Sequence, residues 1–155
     1  MTEGSSAPAV EVEELLGRLD EARLALAAAL DGADPEKFAA EAAGGESIKR
    51  LLERTVDDVN FYYGRLVARA MSLPQPPCLT KAEFGSLRVA STSLQVAHRR
   101  FSNLLHDLIP SDLEKTASDP ELGTYTMRQI LEMATAHYAL RAQQVERTLG
   151  RRAEA

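Results

Sequence analysis

The sequence predicts an all-α fold: a four-helix bundle with short extra helices in its connections. Three observations carry this. Four long segments repeat apolar residues every three or four positions, the period of a helix face. Alanine is abundant, aromatics make up 5% of the chain and tryptophan is absent, a balance that favours helix over sheet. No segment alternates apolar and polar residues for long enough to be a strand.

The 155 residues fit one domain large enough to bury a core without staples. Residues 1–8, "MTEGSSAP", are small and polar and read as a disordered tail. Residues 9–150 form the domain, and 151–155 a frayed end after Gly150. The first helix spans about 9–31, with Val12, Leu15, Leu16, Leu19, Ala22, Leu26 and Leu30 as its stripe. Asp34-Pro35-Glu36 then starts a short helix that ends at Gly44–Gly45, with Asp as N-cap and Pro at the first position. The second long helix runs from about 46 to 72. Its two stripes are Ile48, Leu52, Thr55, Val59, Tyr62, Leu66 and Leu51, Arg54, Asp58, Phe61. The prolines of "SLPQPPC" stop it.

The third helix is expected from Thr80 to about 109. Thr80-Lys81-Ala82-Glu83 reads as a capping box, with Leu79 and Phe84 at staple positions. Leu87, Leu94, His98, Phe101, Leu105 and Leu108 form its stripe, and Pro110 ends it. "PSDLEKTA" reads as one helical turn with Ser111 and Glu114 as a capping pair. The fourth helix follows Gly123, led by the capping box Thr126-Met127-Arg128-Gln129 with Tyr125 and Ile130 as staple. Met127, Ile130, Ala134, His137, Arg141, Val145 and Leu149 face inward.

Charge is uneven. Residues 1–46 carry 11 acids and 3 bases, and residues 47–155 carry 12 acids and 15 bases. This reads as a solvated acidic first helix. The scattered basic residues Arg99, Arg100, Arg147, Arg151 and Arg152 do not make the stripe that a nucleic acid requires. A lone cysteine, Cys78, excludes an internal disulfide and fits a reducing compartment. The N-terminus has no basic and apolar pattern of a signal peptide, and no stretch is apolar for 18 residues. A cytoplasmic location without membrane contact is expected. There is no Gly-rich phosphate loop, GxSxG or HExxH. Cys78, between Pro77 and Leu79, reads as an incidental thiol.

The second and fourth helices echo each other. "SIKRLLERTVDD" from Ser47 lies over "TMRQILEMATAH" from Thr126, which sets Arg54 opposite Met133 and Asp58 opposite His137. Chance similarity between amphipathic helices and a two-helix repeat both account for it.

"LLHDLIPSDLEKTASDPELGTYTMRQILEMATAHYALRAQQVERTL" and "GGESIKRLLERTVDDVNFYYGRL" resemble, in order, segments of the DinB-like (YfiT-like) superfamily of metalloenzymes. The resemblance implies a four-helix bundle, often a homodimer, related to bacillithiol transferases and mycothiol-dependent maleylpyruvate isomerases. It also implies a divalent metal held by three histidines. One follows a Leu-Leu-x on the second helix; two form a His-x-x-x-His pair on the fourth, because residues four apart share a helix face. Here Leu51-Leu52-Glu53 is followed by Arg54. His137 fits one ligand position, and Arg141 or Met133 stands at the other. Arginine has a fixed charge and no lone pair for a metal.

The expectation is therefore a non-catalytic binding or interaction module, a homodimer with no cofactor, that has lost most of the metal site. One alternative is a thiol S-transferase or hydrolase that holds Zn, Ni or Mn through rearranged ligands such as His137, His98 and Asp58. Another is binding of a small anion through Arg54 and Arg141, since guanidinium forks suit carboxylate and phosphate. A small anionic or thiol ligand is thus the expected small-molecule partner. The candidate pocket is Arg54, Asp58, His98, Met133, His137 and Arg141. Arg54 with Asp57 or Asp58, within reach on the same helix, reads equally as an internal salt bridge. His98 reads as a core-edge histidine and His106 as a helix-end histidine near the C-terminal dipole. Tyr62, Tyr63 and Tyr138 read as core aromatics or as pocket walls.

Overall fold

Helix α1 (Glu3–Leu30) opens the chain in a computed structural model that describes residues 3–40, 45–74 and 80–150. It begins at Glu3, ahead of the expected start at 9. Pro8, close to the helix start, removes one backbone donor without ending the helix. Residues 1–2 and 151–155, expected as tail, lie outside the described residues. Val12, Leu15, Leu19, Ala22, Leu26 and Leu30 are buried as their spacing requires. They pack along α5 (Met127–Thr148), the most extensive helix contact in the molecule.

The short helix expected after Asp34 is a single 3-10 turn, Pro35–Lys37. Asp34 caps it, accepting from the Glu36 N–H at 2.9 Å. The turn goes no further because Phe38 is buried and its carbonyl accepts the Lys49 N–H at 2.9 Å, which draws the chain onto the next helix. The expected end at Gly44 lies outside the described residues.

The second rod has three parts: α2 (Ile48–Asp58), a π-helical turn (Val59–Tyr63) and α3 (Gly64–Met71). Ser47 caps it, its hydroxyl accepting from the Arg50 N–H at 3.1 Å. Ile48, Leu52, Thr55, Val59 and Leu66 are buried, so the first sequence stripe is the core face. The π-turn depends on Gly64, whose N–H reaches back to the Val59 carbonyl. A Cβ at Gly64 would stand 2.9 Å from that oxygen, closer than any side chain tolerates. The rod stops at Ser72, which takes the left-handed conformation at φ 56° while the Leu73 N–H closes on the Ala68 carbonyl.

Helix α4 (Leu87–Leu104) starts later and ends earlier than expected. The capping box at Thr80 does not form. Residues 80–84 form no regular element instead, because α2 captures backbone donors among them: the Ala82 N–H binds Asp57 Oδ1 at 2.8 Å and the Phe84 N–H binds Glu53 Oε2 at 2.9 Å. Phe84 enters the core and Ser86 caps the helix. Leu79 and Cys78 lie outside the described residues.

After α4, the expected single turn is a 3-10 helix, Pro110–Glu114. Its capping acceptor is Asp112, which takes the Ile109 N–H at 3.0 Å, and not the Ser111–Glu114 pair. Glu114 is drawn to Arg128 instead. A two-stranded antiparallel hairpin follows, β1 (Thr116–Asp119) and β2 (Gly123–Thr126), against the expectation of no strand. Four residues are too few to show a period of two. The turn is built by Asp119, whose Oδ1 accepts the Glu121 and Leu122 N–H groups, and by Gly123 at φ 109°. The Thr126–Gln129 capping box that starts α5 forms as read: Thr126 Oγ1 accepts from the Gln129 N–H and Gln129 Oε1 from the Thr126 N–H.

The molecule is thus mostly helical, with four helical rods and one small sheet. α2 packs on α4 and α5, α3 on β1, α4 and α5, and α4 also touches α1. Leu19, Leu26, Leu52, Leu66, Ile130, Leu131 and Val145 fill the middle. Among the described residues no helix is long and apolar enough to cross a membrane. Gly64→Ala is predicted to cost about 2 kcal/mol, the scale of forcing atoms into a packed interior. The urea midpoint reads this, and an unchanged midpoint would mean that the π-turn yields without strain.

Candidate functional site

The N-cap at Thr126 fixes the rotation of α5. Its inner face then presents Ile130, Ala134, His137, Arg141 and Val145 in turn, three or four residues apart. The apolar members bury against α1 and α2. His137 and Arg141 are also inside, each with a side chain 8% exposed. Facing them, the last residue of α2 is Asp58, placed just before the π-turn. Such turns re-aim the side chains beside them.

Three sequence candidates therefore meet. Arg141 Nη2 lies 3.4 Å from Asp58 Oδ2, and His137 Nε2 lies 3.7 Å from the same oxygen. The sequence echo had aligned Asp58 with His137. Arg141 Nη1 donates to Gln144 Oε1 at 2.9 Å. Tyr63 packs its ring 5.2 Å from the His137 ring. Two buried atoms of this cluster, His137 Nε2 and Arg141 Nε, have no hydrogen-bond partner.

The electrostatics follow from burial and from the fixed guanidinium charge. Burial first, then Arg141 and Arg54, push the His137 pKa down to about 4, so the ring is neutral near pH 7. Burial, with Asp58 nearby, pushes the Tyr63 phenol up to about 12. The Asp58 carboxylate is in contact with Arg141.

The remaining candidates sit apart. Arg54 is half-exposed and pairs with Glu46, not with Asp57 or Asp58. It acts on His137 only through space. Met133 is half-buried one turn before His137. His98 is buried as a core-edge residue, and both ring nitrogens are taken: Nδ1 by the Tyr138 hydroxyl at 2.9 Å and Nε2 by Asp20 Oδ1 at 3.1 Å. Burial lowers its pKa. His98 is thus spent on a chain from Asp20 through the core to Tyr138, not on Asp58 and His137. Tyr138 is core; Tyr62 meets the Tyr125 hydroxyl at 3.5 Å. His106 is exposed just past the end of α4. Among the described residues, no three His, Cys, Asp or Glu side chains gather closely enough to hold a metal ion.

Sequence reasoning missed several partners. The sequence reading gave Glu53 no role and offered Asp57 to Arg54, yet both hold the segment before α4. Burial opposes the Glu53 charge, but hydrogen bonds from Lys49 and the Phe84 N–H hold its pKa below the usual value. Asp119 is fully buried and pairs with Arg65 and Arg69, which pins the hairpin to α3. A buried position between Leu52 and Val56 was the available signal for Glu53, and "DPELG" the signal for Asp119.

A sequence model of the DinB superfamily matches residues 18–145, most of the chain. The chain belongs to the DinB superfamily. The match covers α1 from Arg18 through most of α5, and therefore every residue of the cluster described above. No curated protein matches this DinB-superfamily chain significantly.

One consequence is a pH dependence. The His137 pKa is depressed in the folded state, so the unfolded chain binds more protons between its ordinary 6.5 and about 4. The stabilisation is complete above pH 6.5 and is lost as pH falls through that window, by an amount on the order of 3 kcal/mol. His98 contributes in the same direction. Urea midpoints followed from pH 7.5 to 4.5 are predicted to fall for the natural chain and to fall less for His137→Gln. Equal slopes would show that His137 titrates normally.

Proposed function

We propose that this chain is a DinB-superfamily four-helix bundle that works as a binding or interaction module, and not through a divalent metal. The observation that carries this is the place of Arg141. Its guanidinium stands against Asp58 and beside His137, where the superfamily resemblance puts a ligand set. A cation in that space would meet a fixed positive charge that cannot be titrated away. His137 would be its only nitrogen donor, with Arg54 turned to Glu46 and both nitrogens of His98 engaged. The donor set does not fit the metal.

Homodimer formation and a cytoplasmic setting belong to the same reading. They rest on the family resemblance and on the single cysteine, Cys78. Elemental analysis of the protein, purified without a histidine tag and loaded with Zn, Ni or Mn, tests the proposal. Substoichiometric metal that His137→Ala leaves unchanged is the predicted result. Stoichiometric metal lost in that variant would overturn it in favour of a transferase or hydrolase with rearranged ligands.

A second reading is favoured by the two unpartnered buried atoms, His137 Nε2 and Arg141 Nε. Beside a guanidinium they suit a small anion that displaces the half-exposed Asp58 from its long contacts. Asp58→Asn, which removes the competing carboxylate, is then predicted to bind acetate or phosphate more tightly than the natural chain, and Arg141→Ala to lose binding. Isothermal titration reads both, and equal heats in all three proteins would remove this reading.

A further inference from the structure

A further buried polar atom without a partner, Arg23 Nε, belongs to α1. Between the end of α1 and the first half of α4 is a cleft of about 300 Å³. Arg23 lines it, half-buried. Its Nε is buried without a hydrogen-bond partner, and its guanidinium forms no ion pair among the described residues. Three other arginines have counter-ions: Arg128 pairs with Glu11 and Glu114, and Arg65 and Arg69 with Asp119. A partly desolvated guanidinium without a counter-ion is costly unless something else supplies the charge.

The rest of the lining says what kind of group that is. Leu30 and Leu94, both core residues, form an apolar wall, and Ser91 and Gln95 add hydrogen-bonding groups from successive turns of α4. Asp31 faces the same cleft without pairing with Arg23. Its charge favours a single negative charge over two. The volume stands at the small end of ligand pockets, which run from about 300 to 1,000 Å³.

We infer that this cleft binds a small monocarboxylic acid with a short apolar body, its carboxylate on Arg23 and its chain against Leu30 and Leu94. The site is separate from the Arg141 cluster. It adjoins the Asp20–His98–Tyr138 chain, since Arg23 lies close enough to act on both His98 and Tyr138.

Isothermal titration and thermal shift of the full chain with sodium hexanoate, at constant ionic strength, test this. Hexanamide and inorganic phosphate serve as controls. Hexanoate is expected to bind in the millimolar range or tighter and to raise the melting temperature, with hexanamide and phosphate at least about 10-fold weaker, the worth of one charged hydrogen bond. Arg23→Gln should lose the same factor. Ser91→Leu, which fills the cleft from a partly buried position on α4, should lose binding while keeping the fold by circular dichroism. If Arg23→Gln does not fold, the Ser91→Leu result and the hexanamide control decide the question. Absence of hexanoate binding in the natural chain, hexanamide or phosphate binding as well as hexanoate, or full affinity in Ser91→Leu would each overturn the inference.

Discussion

Three carboxylates within two turns of α2 tie the molecule together. Glu53 and Asp57 hold the backbone donors of residues 82 and 84, and Asp58 faces Arg141 on α5. Each answers a need created elsewhere. The irregular segment before α4 would otherwise bury unsatisfied N–H groups, and α5 would otherwise bury a guanidinium without an anion. Because one helix serves both, its rotation is determined by polar contacts as well as by its apolar stripe. The π-turn that follows Asp58 then lets Val59 and Leu66 remain in the core beyond it.

The same arrangement governs the chemistry of the α5 cluster. Burial is the main cause of the low His137 pKa, and the fixed guanidinium charge of Arg141, balanced in part by Asp58, lowers it further. The polar atoms left over, His137 Nε2, Arg141 Nε and Arg23 Nε, are buried without a hydrogen-bond partner, and the two anion-binding proposals rest on them.

The long helices were legible in the sequence because burial acts on side chains with a fixed period. Leu52, Leu66, Ile130 and Val145 lie where their spacing puts them, and the Thr126–Gln129 box starts α5 as read. The capping box at Thr80 was equally clear and did not form. Its local hydrogen bonds lost to Asp57 and Glu53, which are distant in sequence. The hairpin escaped notice because its strands are four residues long and its stability comes from the Asp119 turn and the arginines of α3. At the site, the inward positions of His137 and Arg141 were readable from periodicity. The partner choices of Arg54 and His98 were not, since Glu46 and Asp20 are reached only through side-chain geometry.

The proposal is that Arg54 and Arg141 stand where the superfamily resemblance puts metal ligands. Zinc titration of the double variant Arg54→His with Arg141→His, His137 left in place, tests it most directly. The account predicts that this variant takes up stoichiometric zinc and melts at a higher temperature with it, while the natural chain does neither. Stoichiometric zinc in the natural chain, or none in the double variant, would contradict it.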